Sequence, residues 1–309
     1  MGDGWAVARP RPRLRPWVAR YIGYRSAASE SATAGDVGAR AAPDGAGAAV
    51  DEVAAGEVAV GEAVHRGLPS GHLTLNISLG EPVRIVGMPR GDQAPGEFRA
   101  LLGGLHTSPV LIARAGTEYG MELALEPAGA AAMVGVPASE LTGHVLDLAD
   151  LHGDLAVLPE RLAEAPDWRS RFAILDDVLS ARMGDDPTGS AEDVAWAWHR
   201  IRRSGGTVRV EALARETGWS RRHFGERFRR EIGLTPKQAA RVVRFERAVG
   251  LLKAGGGLAE TASRCGFVDQ PHLTAEWRAL AGCAPAAWLA EELPFLQDPL
   301  TAPIPDSEP

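Results

Sequence analysis

The sequence predicts an α+β, strand-rich domain in its N-terminal half, followed by an all-α domain built from two helix-turn-helix units joined by a long helix. Three observations predict this. Short apolar segments between residues 58 and 136 have the period of strands. A breaker cluster, Gly184-Asp185-Asp186-Pro187-Thr188-Gly189, divides the chain. Beyond it the apolar spacing is helical throughout, and one pattern occurs twice. The expected division is an N-terminal domain over 1–155, a helical connector and linker over 156–189, the double unit over 190–293 and a loose tail over 294–309.

Composition narrows the class. A chain of 309 residues has room for about two domains. With 45% apolar and 24% charged residues it is neither fibrous nor wholly disordered. Two cysteines exclude a disulfide scaffold and a Cys-only zinc site. No apolar run is long enough to span a membrane, and the Arg- and Pro-rich start, Arg9 to Pro16, lacks the apolar stretch of a secretory signal. A cytoplasmic protein with no membrane partner is the expectation. The net charge of −7 argues, taken alone, against a whole-surface polyanion binder. It is unevenly spread, however. Residues 1–189 carry −9, residues 190–298 carry +4 and the tail carries −2. Of the 33 basic residues 31 are arginines, which fits a G+C-rich genome more simply than a functional preference.

Each element has its own local cause. Residues 26–50 hold ten Ala and four Gly and almost no large apolar residue, so they read as a loop or insertion. Leu73 to Leu79 alternates apolar and polar, as a half-buried strand does. Pro82 to Val86, Val110 to Ala113 and Met121 to Leu125 are further short strands, and a cupin-like barrel is one candidate arrangement. Gly103-Gly104 reads as a turn. Asp167 to Arg182 reads as a helix with Trp168, Phe172, Leu175 and Leu179 on one face, and it is a candidate dimerisation element. Ser190 and Asp193 form a capping-box-like start, before a stripe of Val194, Trp198 and Ile201. Thr235-Pro236 opens the long helix as N-cap and first residue. Its apolar face is Val242, Phe245, Val249 and Leu252, and Lys237, Arg241, Arg244 and Arg247 lie largely on another.

The repeat is found by counting. Ala214 and Gly218 recur as Ala262 and Gly266, 48 residues on. Phe224, Phe228, Gly233 and Pro236 recur as Leu273, Trp277, Gly282 and Pro285, 49 residues on, so one residue is inserted in the second turn. In each copy a small residue sits where two helices touch. Gly takes a left-handed turn position, Trp219 or Phe267 plugs the core, and the second helix buries two large residues four apart. The opposite face of that helix is free to enter a major groove. A solenoid of 40-residue repeats is disfavoured, because such folds need three or more copies.

Residues Val210-Glu-Ala-Leu-Ala-Arg-Glu-Thr-Gly-Trp-Ser-Arg-Arg-His-Phe and Cys265-Gly-Phe-Val-Asp-Gln-Pro-His-Leu resemble the DNA-binding domain of the AraC/XylS transcription regulators. The resemblance covers about 190–290, a third of the chain. It implies seven helices, with two recognition helices entering adjacent major-groove segments of promoter DNA. It also implies a companion domain that senses a small molecule or dimerises, and the N-terminal half loosely resembles actinobacterial companion domains. Carried over by motif, Ser220, Arg221, Arg222 and Glu226 become DNA-binding positions of the first unit. Gly225 departs from the usual longer polar residue. In the second unit Asp269 is the N-cap, Gln270, His272 and Thr274 are DNA-binding positions, and Pro271 and Ala275 lack donors. Arg222 is the expected guanine reader and Gln270 the expected adenine reader. Arg229, Arg241 and Arg244 are candidate phosphate contacts. Arginines outnumber acids six to four in 210–236 but are outnumbered three to two in 258–282, so the first unit is expected to supply most of the specificity.

Other chemistry is thin. Histidines 65, 72, 106, 144 and 152 form no metal-binding spacing, and His144 and His152 read as an exposed, solvated loop. Cys265 reads as a small buried apolar residue. No nucleophile elbow, phosphate loop or dinucleotide fingerprint occurs, so neither enzyme activity nor a cofactor or metal is expected. The reading is a one-component DNA-binding transcription regulator under small-molecule control. Its expected partners are promoter DNA, with which it would lie at the nucleoid, RNA polymerase if it activates, an effector bound to the N-terminal domain, and a second copy of itself. The alternatives are an enzymatic or ligand-sequestering N-terminal domain fused to a DNA-binding module, and an architectural DNA binder without effector.

Overall fold

A computed structural model describes residues 5–26, 64–114, 117–183 and 192–292. The expected loop over 26–50, the Ser190 cap and the loose tail lie essentially outside them. Among the described residues the N-terminal part holds ten strands: β1 (Ala6–Ala8), β2 (Val18–Ser26), β3 (Val64–Gly67), β4 (Leu73–Ser78), β5 (Val83–Gly87), β6 (Gly96–Phe98), β7 (Ala100–Gly103), β8 (Val110–Ala113), β9 (Glu118–Leu125) and β10 (Val145–Asp147). They form two antiparallel sheets. The larger runs β1-β2-β9-β4-β7-β10 and the smaller β3-β8-β5-β6. The strand-rich class of this part and the helical class of the C-terminal part are both as the sequence predicts.

Registers set the faces of the large sheet. Leu75 lies opposite Leu123 and Leu102, and Ile77 opposite Met121. This face is fully buried. Helices α1 (Pro127–Val134), α2 (Ala138–Leu141), α3 (Leu158–Glu164) and α4 (Trp168–Arg182) come next. Asp167 caps α4 by accepting from the Ser170 N–H. Phe172 stacks on Tyr21, the Tyr21 hydroxyl donates to Asp176, and Trp168 lies directly over Gly23, where a Cβ would collide with the indole. The apolar face of α4 is therefore occupied by its own sheet. That removes the basis for dimerisation through this helix.

Two local expectations are corrected. Gly103 ends β7 and pairs with both Thr74 and Val145, so Gly103-Gly104 is not a free turn. Gly104 passes so close to the Leu141 backbone that no side chain would fit. Nor is His144 in a solvated loop. It immediately precedes the edge strand β10, half-buried, with Nε2 3.3 Å from Asp92.

Among the described residues the C-terminal part is seven helices: α5 (Glu192–Arg203), α6 (Val210–Glu216), α7 (Arg221–Ile232), α8 (Pro236–Lys253), α9 (Leu258–Arg264), α10 (Gln270–Ala281) and α11 (Pro285–Glu292). Thr235 and Gln238 form a full capping box on α8, with Pro236 at its first turn. Phe245 meets Trp277 edge-on at 4.9 Å between ring centres, and Trp277 meets Trp288 at a tilt at 5.4 Å. One continuous buried cluster spans the large sheet and the C-terminal helices, while Ile85, Met88, Phe98, Leu101 and Val145 form a second cluster.

Candidate nucleic-acid interface and adjoining cavity

Each predicted unit is present. Helices α6 and α7 form the first, α9 and α10 the second. The turn glycines Gly218 and Gly266 have φ of +72° and +73°, the left-handed conformation the sequence demands of them. Ser220 caps α7 by accepting from His223, and Asp269 caps α10 by accepting from His272. Phe224, Phe228, Leu273 and Trp277 are buried, leaving the opposite faces in solvent.

The predicted contact residues divide into free and engaged groups. Arg221, Arg222, Glu226 and Arg229 are exposed on α7. The Arg222 side chain is 89% exposed, and its Nε donates to Glu226 at 2.9 Å, one turn on. Arg221 reaches Glu211 of α6 at 3.2 Å. Gln270 is exposed at the start of α10, and Thr274 is half-buried. His272 is turned inward: its Nδ1 accepts from the Val268 N–H at 3.2 Å and its ring meets Phe267 edge-on. Arg241 makes a two-pronged pair with Glu276, at 2.7 and 3.3 Å, and Arg244 lies over the Phe267 ring, 5.4 Å from its centre. These two basic groups tie α8 to the second unit.

Residues 213–291 match a family described as a helix-turn-helix domain. This stretch is a helix-turn-helix domain. No curated protein matches the chain. Among solved structures, ToxT from Vibrio cholerae O395 is similar at 11% identity and a TM-score of 0.45, over 74% of this chain and 93% of that one. ToxT bound to (E)-4-(8-methylnaphthalen-1-yl)but-3-enoic acid gives 11% identity and 0.48, over 74% and 94%. Wild-type ToxT of strain SCE256 with bound unsaturated fatty acid gives 12% and 0.40, over 74% and 90%.

The helix-turn-helix domain is anchored to the sheets through buried charge. Glu126, which precedes α1, accepts from the Trp198 indole at 3.0 Å and from Arg202, both on α5. Burial pushes the Glu126 carboxyl up, but Arg202, His72 and the indole N–H outweigh it and hold it below its ordinary value. Glu246 of α8 accepts from the Gly71 N–H at 3.0 Å and lies 3.8 Å from His72. Glu292 of α11 meets His65 at 2.9 Å and Arg114 at 3.3 Å. Burial raises both carboxyls, and these partners lower them further than burial raises them.

Beside these anchors lies a cavity of about 420 Å³ between the two sheets, floored by Glu246, Val249 and Lys253 of α8 and by Trp288 and Glu292 of α11. Its walls differ in kind. The large sheet contributes mainly polar groups, Arg20, Tyr24, Thr74, Asn76 and Glu122, whereas the small sheet contributes Val83, Ile85, Val110 and Ile112 alongside His65 and Arg84. Sandwich interiors are normally apolar on both faces. Here the large sheet turns its apolar face to the helices and its polar face inward. Burial pushes the Glu122 carboxyl up despite Arg20, His65 and Lys253 nearby. The Nε of Arg20 is buried without a hydrogen-bond partner among the described residues. Sequence alternation marks Glu122 as polar but places it toward solvent, so alternation alone misses its role. Glu126 and Glu246 carry no local signal, because their partners are distant in sequence. The described residues hold no group of three or more His, Cys, Asp or Glu suited to a metal ion. Burial raises both cysteine thiols above their ordinary value, as expected of unreactive side chains.

Proposed function

We propose that the chain is a one-component transcription regulator whose helix-turn-helix pair holds promoter DNA under the control of a small molecule bound between the sheets. The observation that carries this reading is the shared cavity. Its floor includes α8, the helix joining the two DNA-reading units, so a ligand there touches the element that sets their relation. Ligand occupancy can bias the DNA-competent arrangement only through such differential contacts. The ligand the walls suit has one hydrogen-bonding edge, facing Asn76, Tyr24 and Glu122, and one apolar face, against Val110 and Ile112. On DNA, Arg222 is the guanine reader of the first unit, with Glu226 orienting its guanidinium, and Arg221 and Arg229 serve phosphates.

The test is selection of random duplexes by the full chain, followed by thermal-shift screening of metabolites. Hits should then change affinity for the selected duplex. No sequence-selective enrichment overturns the DNA-binding reading. Ligands that shift melting without changing affinity overturn the coupling and favour a sequestering domain.

A further inference from the structure

The two units present opposite chemistry at matched positions. With the 49-residue offset, Arg222 corresponds to Pro271, Glu226 to Ala275 and Arg230 to Ala279. All six are exposed. At these three positions α7 is charged and α10 apolar, although Gln270 and Arg278 are exposed on α10 as well. The residue inserted in the second copy is Val268, between the plug Phe267 and the cap Asp269, and it is 86% exposed. Its backbone is held on both sides. The Val268 N–H donates to His272, and the next residue, Asp269, accepts from the His272 N–H at 2.7 Å. A valine placed in solvent at the mouth of a recognition helix presents apolar surface that contributes to affinity only when a partner covers it.

We propose that the second unit reads thymine methyl groups, through apolar contact by Val268, Pro271 and Ala275 in the major groove. The inference rests on the DNA-binding reading above. The thymine C5-methyl is the one apolar group on the major-groove edges of the base pairs, and it is matched by small apolar side chains. The first unit then specifies by hydrogen bonds and charge and the second by shape against methyl groups. That accounts for the shortage of arginine in 258–282 without making the second unit a passive support.

Deoxyuridine substitution tests this, since it removes the methyl and leaves pairing unchanged. The full chain is bound to a duplex selected from a random pool, with each thymine replaced in turn. Two or three thymines clustered in one half of the site should each weaken binding roughly threefold to fivefold, the factor for covering one methyl-sized group. Val268→Ser or Ala275→Ser should abolish the penalty at one of those thymines. Arg222→Ala should weaken binding to every one of these duplexes while the penalties persist. Val268 and Ala275 are exposed, so both variants should fold. An absence of deoxyuridine penalties, or penalties unchanged in both serine variants, overturns the inference while the DNA-binding reading stands. Failure to enrich any sequence overturns both.

Discussion

At the scale of single residues, the distinction that counts is between charged groups that are free and those that are spent. Arg222 is nearly fully exposed and is oriented by Glu226, so it is available to a base edge. Arg222→Ala should cost about 1–3 kcal/mol of affinity for the selected duplex and relax its sequence preference, as titration against single-base variants would show. A uniform loss over all sequences would instead make it a phosphate contact. Arg241 resembles Arg222 in sequence but is clasped by Glu276, 35 residues away, and that distance is why counting could not separate them. Glu126 is spent in a different sense. It is buried and satisfies an indole and a guanidinium from the other half of the molecule. Its removal leaves Arg202 and Trp198 unpaired, so Glu126→Ala should destabilise by about 3–5 kcal/mol in chemical denaturation. Glu126→Gln keeps an acceptor for the indole and should cost less.

At the scale of elements, the paired units were legible because they rest on hard steric requirements: a small residue at a helix contact, a glycine at positive φ, a plug, and two buried residues four apart. Two glycines of the first unit make opposite predictions. Gly218 has φ +72°, so Gly218→Ala should cost roughly 1–2 kcal/mol from strain alone, although a Cβ there would touch nothing. Gly225 lies within α7 with ordinary backbone and open space around its Cα, so Gly225→Ala should stabilise by about 0.5–1 kcal/mol. Thermal melts of both variants would check the pair, and equal shifts would contradict the turn geometry. Strands β4, β5, β8 and β9 were legible too, β4 from its alternation. The nine-residue β2 was not, and neither were the three-residue strands β1, β6 and β10, since three residues carry no period. The partner of α4 was also hidden: an amphipathic stripe says that a face is buried but not against what, and here the answer is Tyr21 and Gly23.

At the scale of the whole molecule, Glu126, Glu246 and Glu292 are all held below the ordinary carboxyl value of 4.5 by partners across the two halves. A carboxyl lowered on folding adds stability that is complete above its unfolded value and is lost as pH falls through the folded one. Resistance to urea should therefore hold near neutral pH and decline steadily below about pH 4.5. Midpoints measured from pH 7 down to pH 3 would check this, and a flat profile would mean the three pairs do not stabilise the union. The −7 net charge misleads for a related reason, because it averages an acidic N-terminal half with a basic C-terminal one.

The seat of Trp198 and Arg202 on Glu126 has a consequence for inheritance. Domains joined by a slack linker can be exchanged between genes as cassettes, each indifferent to its neighbour. Here the helix that opens the C-terminal half completes its hydrogen bonds on a side chain of the N-terminal half. A foreign N-terminal half would have to bring a carboxylate to the same spot. A chimera that lacked one would begin life with a half-buried guanidinium stripped of its carboxylate, so the two halves of this chain are expected to have travelled together.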